Sequence, residues 1–309
     1  MTPLGETRQI LRGILPVLPA PFDQTGQLLL EEVPVIAEWA IQKGVHGLTV
    51  NGVASEVFRL DDRERVEIIR AAVQASGGRV PVVAGAGGLA TRLAVSAATD
   101  AVEAGADALL VPPPPVGTAS TVTLANHYAD IARAVSVPII LQDDPVHLGV
   151  GLATEVIVDL AERFDNIRYS KLEELPSMSK IREVGERSHG GVSCLGGSGG
   201  LYALEELAAG AVGLMTGFVF PEALVAIYEA WQSGEPGRAR ACNQMVSGLT
   251  RLEALPKVAL SIRKHLYVRR GVMSSGAVRS PGVTADPWTL ELAYAELAAV
   301  EAEWKELHR

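Results

Sequence analysis

The chain reads as a (β/α)8 barrel with a C-terminal helical appendage, and three observations predict it. Short apolar runs alternate eight times with stretches of helical spacing. These runs are continuously apolar, as parallel strands covered by helices should be, instead of alternating polar and apolar. Gly44, Gly77, Gly105 and Gly210 each stand between a helix and the next strand, where a helix cap needs positive φ. A doubly wound sheet is the rival architecture, but it more often has fewer strands.

The first apolar run is Gly13–Leu18, followed by a turn over Pro21–Gly26. Helical spacing over Val33–Ile41 stops at Lys43 and Gly44, a basic residue and a glycine where helices end. Strand Gly47–Asn51 follows, then a helix over Asp61–Ala75, strand Val80–Ala84 and a helix over Thr91–Glu103. Next come strand Ala108–Val111, a helix over Thr121–Ala134, strand Val137–Leu141 and a helix over Thr154–Arg163. The sixth strand runs through Ile167 and Tyr169 to Lys171, with a helix to about Val184. Strand Gly191–Leu195, a helix to Ala209, strand Ala211–Met215 and helix Pro221–Trp231 complete eight units. From about Arg238 the alternation stops, and helical patterns run through Leu255, over Leu260–Arg270 and over Trp288–Leu307. The barrel is therefore expected over 1–235 and a helical region over 236–309. No low-complexity linker separates them, so the second should pack on the first.

At 309 residues, 48% hydrophobic and 20% charged, the chain can bury one large core, and barrels of about 250 residues run as single domains. A net charge of −9 argues against nucleic acid or an acidic membrane as partner. It also means that local groups must catch an anionic substrate. Cys194 and Cys242 are the only cysteines, which implies no disulfide framework and fits a reducing cytoplasm. The first eight residues lack a signal-peptide pattern, and no apolar run reaches the roughly 20 residues of a membrane helix. Six scattered histidines show no metal-ligand spacing, so neither a metal nor another cofactor is expected.

In a barrel, chemistry gathers at the C-terminal ends of the strands. Lys171 stands at the end of the sixth. Burial there disfavours the ammonium form, and a neutral amine can attack a ketone to form a Schiff base that serves as an electron sink. The plainer alternative is a surface lysine just past a strand. If Lys171 points inward, period two turns Glu173 inward as well, so lysine and carboxylate share one mouth; otherwise Glu173 is a solvated acid. The second strand ends in Asn51-Gly-Val-Ala-Ser-Glu56. Backbone N–H groups of that glycine turn can hold a carboxylate, with Ser55 adding a hydroxyl; alternatively it is a tight turn with Glu56 capping backbone. Gly85–Gly88 carries no chemistry, and the proline loop Pro112–Gly117 no titratable group. The fifth strand ends in Gln142-Asp-Asp-Pro-Val-His147, the most polar mouth, with His147 either a base or a loop histidine. Gly196–Gly200, after the seventh strand, is an anion nest or a flexible loop.

A set of short motifs holds its order along the chain. These are Pro19-Ala-Pro-Phe-Asp23 with Gly26, and Gly52-x-x-x-Glu56 with Leu60 and Glu64-Arg65. Val80-Pro-Val-Val-Ala-Gly85, Gly105-Ala-Asp-Ala108 and Val137-Pro-Ile-Ile-Leu141 with Pro145 come next. Asn166-Ile167 with Lys171, and Gly210-Ala-Val-Gly213, complete the set. Together they resemble the dihydrodipicolinate synthase / N-acetylneuraminate lyase family of class I aldolase-type barrels, over residues 13 to about 232. The resemblance implies that the lysine matching Lys171 forms a Schiff base with a 2-keto acid, usually pyruvate or a pyruvate-like end. It implies that the turn matching Gly52, Val53, Ala54 and Ser55 holds the carboxylate. It also implies a homotetramer or homodimer.

The departures narrow the expectation. Gln142 matches the family's strand-five tyrosine, which relays protons to the bound substrate. Val53 and Ala54 match its hydroxyl residues, and Ser55 stands where glycine is usual. The tyrosine after strand four that dimer partners exchange falls within Pro113–Pro115. Glutamine orients a substrate but does not titrate near neutral pH. The Gln142-Asp143-x-Pro145 mouth and Lys171-x-Glu173 are similar to a subgroup that includes 2-keto-3-deoxy-L-arabonate dehydratases. The expected function is a Schiff-base lyase, either dehydratase or aldolase, for a small 2-keto acid of the 2-keto-3-deoxy sugar acid class; both reactions share the imine, and the sequence does not choose between them. Lys171 is the expected nucleophile, Glu173 the proton carrier and Gln142 the orienting group, with Gly52–Ser55 and Gly196 contacting substrate. The alternatives are a keto-acid-binding protein without catalysis, and a phosphosugar enzyme using Gly196–Gly200.

Overall fold

A computed structural model describes residues 11–115 and 120–307. The N-terminal segment read for a signal sequence, and the end of the proline loop, lie outside the described residues. Eight strands form the sheet: β1 (Gly13–Ile14), β2 (Leu48–Val50), β3 (Val82–Gly85), β4 (Ala108–Val111), β5 (Ile139–Asp143), β6 (Ile167–Leu172), β7 (Ser193–Gly196) and β8 (Gly213–Leu214). Each pairs in parallel with its successor from β2 to β8, and β8 pairs with β1. The ring closes just past β1. Val17 bridges Thr49 in parallel, the Leu18 N–H donates to the Thr49 carbonyl at 2.8 Å, and the Thr49 N–H donates to the Pro16 carbonyl at 2.9 Å.

Three strands start later or stop sooner than the apolar runs suggest, and proline is the reason. Pro16, Pro81 and Pro138 have no N–H for a ladder, although their carbonyls still accept from Thr49, Leu48 and Leu109. Helices α1 (Glu32–Gln42), α2 (Asp62–Ser76), α3 (Thr91–Glu103) and α4 (Thr121–Ala134) cover the first half of the ring. Its second half carries α5 (Pro145–Leu148), α6 (Thr154–Arg163), α7 (Ser177–Arg187), α8 (Ala203–Ala208) and α9 (Pro221–Gln232). The one-turn helix α5 lies inside what the sequence read as a loop; Pro145 opens it and the Asp144 carboxylate accepts the His147 N–H. Gly44, Gly77, Gly105 and Gly210 have φ of 79°, 55°, 101° and 102°, as their cap positions require. After α9 come α10 (Pro236–Leu252), α11 (Ala259–Arg269) and α12 (Pro287–Leu307). α10 packs on α9, and Tyr267 of α11 meets Trp39 of α1 edge-on with ring centroids 5.3 Å apart.

Strand parity sorts the core into two layers. Val83, Leu110, Ile140, Tyr169, Leu195 and Met215 fill the barrel interior, while Val82, Leu109, Ile139 and Leu141 pack against the helices. Gln142 shares parity with Ile140, and Lys171 with Tyr169, so both rise from the interior layer toward the mouth. No described helix is long and apolar enough to cross a membrane.

Candidate active site

Gln142 and Lys171 are direct partners in the β5–β6 register. The ladder persists one residue beyond β6, because the Glu173 N–H donates to the Asp143 carbonyl at 2.8 Å. Glu173 therefore returns to the Lys171 side, and its Oε2 lies 2.7 Å from Lys171 Nζ. Gln142 Nε2 donates to the same oxygen at 3.3 Å, and the Ser198 N–H donates to Oε1 at 3.0 Å. Lys171 is 5% exposed. A pair this dry is fixed in geometry, since removing one partner leaves the other charge uncompensated. Its arrangement places a base on the amine that would attack a ketone.

The pair faces a cleft of about 480 Å³ that Val53, Ala54, His147, Thr216 and Arg263 also line. Val53–Ser55 form a single 3-10 turn after β2. Its first two N–H groups, those of Val53 and Ala54, have no carbonyl one turn behind them within it and remain for a ligand. The other two expected members of this set do not line the cleft. The Ser55 hydroxyl donates to the Leu18 carbonyl at 2.6 Å and accepts the Gly52 N–H at 3.2 Å. Ser55 thus ties the turn to the segment after β1, and it also occupies the Gly52 donor. Gly52 is needed for close approach, because a Cβ there would lie 2.7 Å from Val17 Cγ1.

Gly196 also stands apart from the cleft, against Glu206 of α8, whose carboxyl a Cβ at Gly196 would strike. Glu206 is fully buried; Ser177 donates to its Oε1 at 2.7 Å, and Oε2 has no hydrogen-bond partner among the described residues. Burial pushes its carboxyl up to about 8; the Ser177 bond opposes this, and the negative Glu173 adds to it. Sequence reasoning missed Glu206, although the buried stripe Ala203, Glu206, Leu207 has core spacing and marked an acid out of place. In the Gly196–Gly200 loop the Ser198 N–H is given to the Glu173 carboxylate, and the Gly200 N–H donates to the Gly197 carbonyl.

The fifth mouth divides in two. Asp143 is fully buried, accepts the Leu152 N–H at 2.8 Å and pairs with Lys180 at 2.7 Å, so it is a tie between strand and helix. Asp144 is buried at the cleft and holds His147 Nδ1 at 2.9 Å. That hydrogen bond raises the imidazole above its ordinary value, with burial acting against it. Burial pushes Asp144 up, but His147 and Lys171 outweigh it and the carboxyl lies below the usual range.

A second buried acid anchors the turn from behind. Glu56 accepts from Arg59 at 2.8 Å, from the Arg279 N–H at 3.0 Å and from Lys264 of α11, which also donates to the Ala277 carbonyl at 2.7 Å. α11 and the residues before it thus form one wall of the cleft. Among the described residues no group of three or more His, Cys, Asp or Glu side chains could hold a metal ion.

The family model described as the dihydrodipicolinate synthetase family matches residues 10–294. The chain is 31% identical over 295 residues to L-2-keto-3-deoxyarabonate dehydratase of Azospirillum brasilense, covering 94% of this chain and 93% of that protein. It is 36% identical over 204 residues to 4-hydroxy-tetrahydrodipicolinate synthase of Chelativorans sp. strain BNC1, covering 60% and 70%. Dihydrodipicolinate synthase of Rhodopseudomonas palustris superposes with a TM-score of 0.87 at 26% identity, over 94% of this chain and 97% of that one.

Proposed function

Because the chain belongs to the dihydrodipicolinate synthetase family, we propose that it is a Schiff-base lyase acting on a small 2-keto acid through Lys171. The observation that carries this reading is the 2.7 Å contact between Lys171 Nζ and Glu173 Oε2 at the floor of the cleft. Glu173 takes a proton from Lys171, whose free amine adds to the ketone; Glu173 then gives that proton to the carbinolamine hydroxyl, which leaves as water, so that an iminium stands at the former carbonyl carbon and Glu173 is again a carboxylate. The iminium acidifies the adjacent C–H, and Glu173 accepts that proton as the electron pair moves toward nitrogen. A hydroxyl on the next carbon then departs as water with a proton from His147, and hydrolysis of the imine frees Lys171. Gln142 holds Glu173 in place and carries no proton of its own.

A 2-keto-3-deoxy sugar acid is the proposed substrate, and dehydration the proposed reaction. The support is likeness over nearly the whole chain to a protein named as a dehydratase of that class, together with the His147–Asp144 pair as a proton source. A phosphosugar is disfavoured, because phosphate on the Gly196–Gly200 loop would face Glu173. The proposed setting is the cytoplasm, as a homodimer or homotetramer, consistent with two buried free cysteines.

Borohydride added with pyruvate or a 2-keto acid should attach the reduced ligand's mass to the peptide containing Lys171. Labelling elsewhere, or equal labelling of Lys171→Ala, refutes the imine. Product masses from a panel of 2-keto-3-deoxy sugar acids then separate dehydration from carbon–carbon cleavage.

A further inference from the structure

The turn that should hold a carboxylate offers little charge of its own. Val53 and Ala54 bring N–H groups but no hydroxyl, and Ser55 is committed to Leu18. With a net charge of −9 on the chain, an anion also gains nothing from the overall field. The cleft nevertheless contains a cation that no part of the proposed mechanism uses. Arg263 of α11 is 7% exposed and lines the cleft. Its Nε donates to Glu253 Oε2 at 2.7 Å and its Nη2 to the Glu253 carbonyl at 3.2 Å. Glu253 is itself held, since the Val219 N–H donates to its Oε1 at 3.2 Å. One edge of the guanidinium is therefore fixed, and Nη1 has no partner among the described residues.

Gly217 shows where that free nitrogen sits. A Cβ at Gly217 would lie 2.7 Å from Arg263 Nη1 and 3.1 Å from Ala54 Cβ. The missing side chain at the end of β8 is the space through which the guanidinium reaches the β2 turn. Other cations near the cleft are less suited. Arg59 is paired with Glu56, and Lys257 is exposed to water at the rim. A guanidinium held by a buried carboxylate is pre-organised and weakly hydrated, which strengthens a charge-assisted bond to a carboxylate.

We propose that Arg263 binds the carboxylate of the keto acid, its Nη1 acting with the Val53 and Ala54 N–H groups. This rests on the 2-keto acid reading and adds the cation that reading lacked. It gives the tail helices a direct part in substrate recognition.

Removing Arg263 alone would strand buried Glu253, so the test uses the double variant Arg263→Gln/Glu253→Gln beside Arg263→Lys. Two measurements are made: the half-saturating concentration of pyruvate and of methyl pyruvate for borohydride labelling of Lys171, and calorimetric binding of lactate, which has a carboxylate but no ketone. The double variant should need roughly 10–100-fold more pyruvate, with methyl pyruvate unchanged and lactate weakened to the same extent. Arg263→Lys, which keeps charge but not the fork, should lose about 3–10-fold. If pyruvate and methyl pyruvate shift together, or neither shifts, Arg263 only shapes the cleft and the proposal falls. If the parent protein shows no labelling of Lys171 while lactate binding still depends on Arg263, the imine reading falls and the carboxylate site stands. Lactate binding indifferent to Arg263 overturns the site.

Discussion

Glu173 and Glu206 press on consecutive residues of one glycine pair. A Cβ at Gly197 would strike Glu173, and a Cβ at Gly196 would strike Glu206. The glycines thus set how far the acid of the cleft stands from the buried one behind it. Gly197→Ala should displace Glu173 from Lys171, and misplacement near 1 Å costs about 10²-fold in turnover. Steady-state kcat checks this, with borohydride labelling of Lys171 expected to persist. Unchanged kcat would mean that the loop absorbs the methyl group.

Glu173→Gln removes the proton acceptor while keeping the shape. Turnover should fall about 10²–10⁴-fold, the usual contribution of a general acid–base group, while borohydride labelling of Lys171 becomes slower but reaches the same final extent. A loss of only a few-fold would make Glu173 a bystander and move attention to Asp144 and His147.

His147 is held protonated to higher pH by the Asp144 hydrogen bond. If its proton assists hydroxide departure, activity falls on the alkaline side as His147 loses that proton. Asp144→Asn removes the cause of the upward shift, so the alkaline limb of the kcat profile should move to lower pH. A limb that stays put would assign it to another group.

Glu206 makes stability depend on pH. Its folded carboxyl titrates at about 8, against 4.5 in the unfolded chain. Between these values the folded state holds a proton the unfolded state has lost, so stability falls as pH rises and levels off above about 8. The size is a few kcal/mol at most, by the linkage of about 1.4 kcal/mol per unit. Urea midpoints measured from pH 5 to 9 should decline for the parent and be flatter for Glu206→Gln. Parallel curves would mean that Glu206 is ionised throughout.

Condensation of pyruvate with aspartate semialdehyde should be slow in this protein despite its family. That reaction moves protons on and off at each stage, and Gln142, Val53 and Ala54 stand where the resemblance places the relay groups. Losing a relay worth about 10²–10⁴-fold raises the barrier by some 3–5 kcal/mol. A condensation rate equal to that of the best 2-keto-3-deoxy acid would show that Gln142 is no obstacle.

Strand parity made the meeting of Lys171 and Glu173 legible in the sequence. Ile140 and Gln142, and Tyr169, Lys171 and Glu173, follow period two, and the ladder bond from Glu173 to Asp143 extends that period past the last strand residue. Turn residues were harder. A hydroxyl inside a tight turn can face ligand or backbone, and only the position of the Leu18 carbonyl decides that Ser55 faces backbone. Arg263 left no trace in the pattern, because α11 buries Ile262, Arg263, Lys264, Leu266 and Tyr267 around most of its girth. A helix buried on several sides has no polar face to read, and its charges resemble a solvated surface.

The wall that α11 supplies also sets the order of events during synthesis. Chains fold from the N-terminus as they emerge. The β2 turn, Lys171 and Glu173 all leave the ribosome before Lys264 and Arg263. Until α11 docks, Glu56 is an acid without the ammonium that faces it in the finished fold, and the mouth stands open to water on the side of residues 253–263. A nascent barrel thus holds Lys171 and Glu173 in a cleft that still lacks one wall. The cleft gains its last wall only after translation has passed α11.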